Sequence, residues 1–336
     1  MSNVHNGRFP SPNGGRDIGI RFETMMPRSE NKGTINDSSG YLYSPGYTES
    51  LELTKTVAQE LADQLGEPVS TYDHVGVRHV GKNVRRDMPK VYRDGFLYAA
   101  DMLEARFGNT DALNAIPFSI GGMAVSFAAE LEPERFETIQ YVKSAGTVGG
   151  ARHHAENVES LQDQIDGLTN EELEANGRIL LKRFIGARQI RDIVPHITAL
   201  NLDGFRMLGG AIRETDRMLG RSSPSRVMRV FGVPSTLDVR NLAVDLRQTV
   251  AIGVAAGEGD QLFGADEAQS AMSGPDGAHR FDRLPTPHVP LVGEQGKRDI
   301  AIIAGSVRYL RELRRSERLS QPTEEFDHTR DQQSAA

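Results

Sequence analysis

Ser119 stands in the window PFSIGG, where an apolar run through Ala115, Ile116 and Phe118 gives way to one rich in Ala, Met and Leu. The window is close to G-x-S-x-G, with Pro117 in the place of the first glycine. Small flanking residues let a strand turn tightly into a helix, so that the hydroxyl projects above the sheet edge. The helix that follows turns its free N–H groups and positive dipole end toward charge developing on a substrate. The chemistry available there is nucleophilic attack on a carbonyl. A serine at the same place is equally a good helix N-cap, and the window alone leaves both roles open.

A serine hydroxyl attacks only when a base takes its proton and an acid orients that base. Two later residues fit by position. Asp260 follows the apolar run VAIGVAA in the loop GEGD, and His288 stands in PHVP, between a strand candidate and the final helix. A loop aspartate more often caps a helix, and a proline-flanked histidine is more often simply exposed. The order Ser, Asp, His and the placement of each after a strand candidate together favour a triad. His279, the rival base, falls at the start of the next strand candidate and therefore at the other end of the sheet. His74 and His79 read as loop residues beside the pocket edge. The adjacent pair His153–His154 suggests metal ligands, but neighbouring side chains diverge and no further ligand stands at a suitable spacing. No metal and no cofactor are expected. Gly257-x-Gly259 is a fragment of a nucleotide-loop pattern without its third glycine.

These residues need a frame. Strand candidates fall at residues 40–44, 69–74, 112–118, 136–142, 250–256 and 281–284. Leu53, Val57, Leu61 and Leu65 recur every four residues, giving a helix that stops at Gly66. Further helices are expected over 96–107 and 120–131, and Ile300, Ile303, Val307, Leu310 and Leu313 mark an amphipathic last helix. Arg311, Arg314 and Arg315 read as its solvated end. Strands alternating with helices imply an α/β fold with a mostly parallel sheet flanked by helices. Residues 149–246 carry almost no strand signal. A capping box at Thr169 and Glu172 opens a run of helical spacings there, which reads as an inserted helical cap. The expected organisation is a loose arm over 1–17, a core over 18–148, the cap over 149–246, the rest of the core over 247–315 and a loose tail over 316–336.

Composition excludes several classes. The chain has 336 residues, 38% hydrophobic and 25% charged, and a formal net charge of −7. That balance gives a nucleic-acid role no bulk electrostatic support. With no cysteine in the sequence, disulfides, thiolate metal sites and a cysteine nucleophile are excluded. No apolar run approaches the roughly 20 residues of a membrane span, and the polar start has no export core. A cytoplasmic protein without a membrane span is the expectation. Nothing in the sequence assigns an oligomeric state.

Several of these segments together resemble the serine-type α/β-hydrolase family with a helical cap. SPGYTES, from Ser44 to Ser50, is similar to the family's turn after its third strand, and YDHVGV to its Asp-x-x-Gly turn after the fourth. PFSIGG matches the nucleophile turn, GEGDQLFG the segment that carries the acid, and PHVPLV the one that carries the histidine. The resemblance implies that Ser119 is the nucleophile, His288 the general base and acid, and Asp260 its orienter. It also implies an oxyanion hole built from the backbone N–H groups of Tyr47 and Ile120. Two positions depart from the pattern. Pro117 replaces a glycine before the nucleophile, and Pro45 replaces the histidine that often precedes the oxyanion-hole glycine.

The expected activity is hydrolysis of a small or medium ester, or a related acyl compound, through an acyl-enzyme. Met207, Leu208, Met218, Met228, Phe231 and Val233 in the cap read first as packing between helices; any that turn toward the site would favour a partly apolar acyl or alcohol group. The alternative is a catalytically inactive α/β-hydrolase-like protein that binds a ligand.

Overall fold

The computed structural model describes residues 5–14, 16–28, 40–46, 49, 51–73, 79–80, 84–108, 113–144, 246–260, 263–272, 277–288 and 291–320. Eight strands form one sheet: β1 (His5–Phe9), β2 (Ile18–Met25), β3 (Gly40–Ser44), β4 (Val69–Tyr72), β5 (Leu113–Pro117), β6 (Phe136–Val142), β7 (Ala251–Gly257) and β8 (Arg280–Leu284). Their spatial order is β1-β2-β4-β3-β5-β6-β7-β8. The β1–β2 and β2–β4 pairs are antiparallel, and every pair from β4–β3 to β7–β8 is parallel.

Five α-helices among the described residues flank the sheet: α1 (Leu51–Leu65), α2 (Val84–Phe107), α3 (Gly121–Leu131), α4 (Ala265–Met272) and α5 (Gly293–Ser320). The sheet's two-residue period sorts the core into two layers. Ile252, Val254 and Ala256 of β7 pack with α2, α3 and α4, among them Met88, Phe96, Leu103 and Met123. Ala255 faces the other way, into the layer holding Leu53, Val57 and Leu61 of α1 and Ile300, Ile303 and Val307 of α5. Central parallel strands buried on both faces read as continuous apolar runs, and β5, β6 and β7 are buried along their whole length.

Several expectations change. The arm placed over 1–17 contains β1, which pairs residue by residue with β2 from His5↔Phe22 to Phe9↔Ile18. This is a sheet-edge strand, in which Phe9 is the buried residue, so its polar composition hides it. Helix α2 begins at Val84 and runs through Pro89. The proline removes one helical hydrogen bond, and burial of Met88, Val91 and Tyr92 outweighs that loss. The last helix continues past 316 to Ser320. Arg311 is not solvated: it is buried, with Nη1 donating to Glu67 Oε1 at 2.6 Å and to the Tyr41 hydroxyl. Its position one turn after Val307 keeps it on the helix face that meets the sheet. The expected cap lies outside the described residues, apart from buried Leu246 at its end. Among the described residues no helix is long and apolar enough to cross a membrane.

Candidate active site

The C-terminal ends of β5, β6 and β7 and the loop after β8 meet at one edge of the sheet. At the end of β5 the backbone stays gripped on both sides. Phe118 N–H donates to Ser44 O at 2.9 Å and Ser119 N–H to Val142 O at 3.1 Å. Backbone alternation turns the Pro117 nitrogen toward β6, where the ladder stops at Ala115↔Ile139 and resumes only with the bridge Phe118↔Val142. The missing N–H therefore leaves out one ladder bond to β6, while the register is the same on either side of it and the β3 side stays paired at Ser44↔Pro117.

Ser119 then takes φ of +52°, a left-handed conformation that costs a non-glycine residue about 1–3 kcal/mol. Gly121 N–H and Gly122 N–H close back on Phe118 O at 2.9 Å and Ser119 O at 3.2 Å, starting α3 in a tight turn. Position 121 has to be glycine, because a Cβ there would come within 2.5 Å of Ser44 O and 2.9 Å of Pro45 O. The strained backbone directs the hydroxyl away from the helix. Ile120 is the N-cap of α3, and no side chain caps that helix. The capping role left open by the sequence is thus not the one Ser119 has here.

Ser119 Oγ lies 2.9 Å from His288 Nε2, and His288 Nδ1 lies 2.9 Å from Asp260 Oδ2. Asp260 Oδ1 accepts the Phe263 N–H at 2.9 Å, which fixes the plane of the carboxylate. The Asp260 side chain is fully buried, whereas the imidazole keeps 16% of its surface exposed. Phe118 stacks on the imidazole at 5.4 Å between centroids, and Phe263 sits against it at 5.3 Å, tilted by 55°. The structure thus brings together the three side chains that the sequence singled out. The two phenylalanines were not anticipated; their signal was only nearness in the chain, Phe118 next to Ser119 and Phe263 three residues after Asp260.

Among the described residues no acceptor takes the Ile120 N–H, which leaves it available beside the hydroxyl. Tyr47, the other expected oxyanion donor, lies outside the described residues, as do His74 and the pair His153–His154. His279 sits at the opposite edge, where its Nδ1 accepts the Ile252 N–H at 3.0 Å. Among the described residues no three His, Cys, Asp or Glu side chains are grouped to hold a metal ion.

Two buried polar groups behind the site had no signal in the sequence. Lys143, at the end of β6, donates to Thr286 Oγ1 at 2.6 Å and Asp299 Oδ2 at 2.8 Å. Glu49 accepts the Gly46 N–H at 2.7 Å and the Tyr43 hydroxyl at 2.9 Å. This occupies the N–H of Gly46 and braces the turn that begins at Pro45.

Burial pushes the Glu49 carboxyl up to about 7, against the pull of the Gly46 N–H, the Tyr43 hydroxyl and the charge on Lys143. The unfolded chain therefore releases this proton at lower pH than the folded one. Stability that is full below the unfolded value of about 4.5 falls as pH rises toward 7. The loss from this group is about 3 kcal/mol. Urea unfolding at pH 5 and pH 7 is expected to show that slope in the native chain and to show it flattened in Glu49→Gln.

No family model matches the chain, and no curated protein matches it. Solved structures do match across most of its length. An esterase from Rhodococcus sp. ECU1013 is 15% identical over 91% of this chain and 99% of its own, with a TM-score of 0.58. Proline iminopeptidase from Mycobacterium smegmatis is 16% identical over 93% and 100%, with a TM-score of 0.56. A thermophilic esterase from Thermogutta terrifontis is 15% identical over 94% and 98%, with a TM-score of 0.52. With its mostly parallel eight-stranded sheet between layers of helices, the chain has the α/β-hydrolase fold.

Proposed function

We propose that the protein is a serine hydrolase that cleaves a small or medium, partly apolar ester through an acyl-enzyme. The observation that carries this reading is the unbroken hydrogen-bond path from Ser119 Oγ through the His288 ring to Asp260. It is supported by the strained backbone at Ser119 and by the esterases and hydrolases among the structures that share the fold.

In this mechanism His288 Nε2 takes the Ser119 proton as Oγ bonds to the carbonyl carbon. Asp260 accepts the Nδ1–H throughout and stabilises the imidazolium. The oxyanion is held by the Ile120 N–H and, by the resemblance, the Tyr47 N–H. Collapse of the tetrahedral species breaks the ester C–O bond, and Nε2 returns its proton to the departing alcohol. Water then repeats the attack with Nε2 as base, which releases the acid and restores Ser119.

A panel of p-nitrophenyl esters of rising acyl length tests the reading. Turnover is expected to peak at a short or medium chain, where the acyl group fills the pocket without outgrowing it. Failure to cleave any member, by well-folded protein, would contradict the proposed ester specificity.

A further inference from the structure

Lys143 is a fully buried cation that no step above uses. Its ammonium and the Thr286 hydroxyl both donate to Oδ2 of Asp299. Strand β6, the loop after β8 and helix α5 therefore close on a single carboxylate oxygen. Burial holds the Lys143 amine below its ordinary value, while Asp299, Asp260 and Glu49 pull it up.

Two further observations tie this cluster to the reactive pair. The residues on either side of Lys143 grip Ser119 from behind. Val142 O accepts the Ser119 N–H at 3.1 Å, and Ser144 Oγ donates to Ser119 O at 3.0 Å. Lys143 itself bends with φ of +44°, which separates those two contacts from its own side chain. In the other direction, Thr286 stands two residues before His288 in the chain. Bare backbone at Gly257 lets that loop approach: a Cβ there would lie 2.5 Å from Thr286 O and 3.2 Å from Lys143 Cε. One three-residue stretch thus holds the hydroxyl with its backbone and neighbours and holds the histidine loop with its lysine.

We infer that Lys143, acting through Thr286, is a positioning residue that fixes the His288 ring at hydrogen-bond distance from Ser119. The inference rests on the reading of Ser119 and His288 as the reacting pair. A base carried on a loop needs such an anchor, because a misplacement of about 1 Å costs on the order of 100-fold in rate.

Removing Lys143 alone would leave Asp299 as an unpaired buried charge, so the cleaner variant is Thr286→Val. It keeps the volume and the Lys143–Asp299 pair, and it removes only the tether. Expected is a fall of about 10- to 100-fold in kcat for a p-nitrophenyl ester, with KM within about twofold. Thr286→Ser is expected to restore kcat to within about threefold, since it returns the hydroxyl. The double variant Lys143→Met with Asp299→Leu replaces the buried pair by apolar side chains, so that Thr286 loses both partners, and makes the same comparison from the lysine side, should Thr286→Val not fold. The ¹⁵N shifts of the His288 ring, assigned by their absence in His288→Gln, give a readout that needs no turnover. They are expected to move from a fixed Nδ1–H tautomer toward a free imidazole in Thr286→Val and to stay native in Thr286→Ser. Native shifts or native kcat in a folded tether variant overturn the positioning role. A native chain inert toward esters, whose ring shifts nevertheless respond to Thr286→Val, overturns the proposed hydrolysis and keeps the positioning.

Discussion

Ser119→Ala is expected to lower ester hydrolysis by about 10⁴-fold or more while leaving the fold intact. The hydroxyl is the only group lost. The Ser119 N–H and carbonyl contacts, to Val142 and from Ser144, involve backbone atoms that alanine keeps. Alanine accepts the +52° φ no less readily than serine, so stability should change little. Steady-state kinetics should show the loss in kcat, with KM nearly unchanged, because the missing bond forms only as the reaction proceeds. Circular dichroism and thermal melting check that the variant is folded. A Ser119→Ala protein with native kcat would remove the serine from the chemistry.

Asp260→Asn is expected to have a comparable effect, about 10⁴-fold in kcat, by a different route. The carboxamide can keep its oxygen on the Phe263 N–H, where Oδ1 now sits. Its NH₂ then faces His288 Nδ1 and donates to it. The ring proton is driven to Nε2, and Nε2 loses the lone pair that accepts the Ser119 proton. The variant should bind substrate normally and turn it over poorly. Kinetics on the same ester, with the ring tautomer read by ¹⁵N NMR, check both halves of the argument.

The proposed reacting groups were legible in the sequence because each stands after a strand signal. VAIGVAA ends in the loop that holds Asp260, and the short strand ending at Leu284 leads to His288. Parallel strands deliver their C-terminal ends to one edge, so chain order alone places these loops together. The departure at Pro117 was legible too, but its consequence was not. The structure shows that it leaves out one ladder bond to β6 without a change of register, while the β3 side of the strand stays paired.

What stayed hidden depends on pairs distant in sequence. A lysine at the end of FETIQYVKS looks like an ordinary solvated strand end. Its partner Asp299 is 156 residues away, on a helix that reads as amphipathic without it. Arg311 was misread for the same reason, since Glu67 and Tyr41 reach it from the far side of the chain. Glu49 looks like one acidic residue in a turn, and only burial against Tyr43 and Gly46 makes it unusual. Strand β1 escaped because an edge strand needs little apolar surface. The alternation of Ile18, Ile20 and Phe22 in β2 was a signal that could have been found.

An activated fluorophosphonate, followed by intact mass and peptide mapping, bears most directly on the proposed chemistry, because it reports an activated serine whatever the natural substrate. One covalent adduct per chain, on the peptide containing Ser119 and absent from Ser119→Ala, is the outcome expected from the Ser119–His288–Asp260 path. Folded native protein that takes up no probe, or takes it up on another residue, would contradict it.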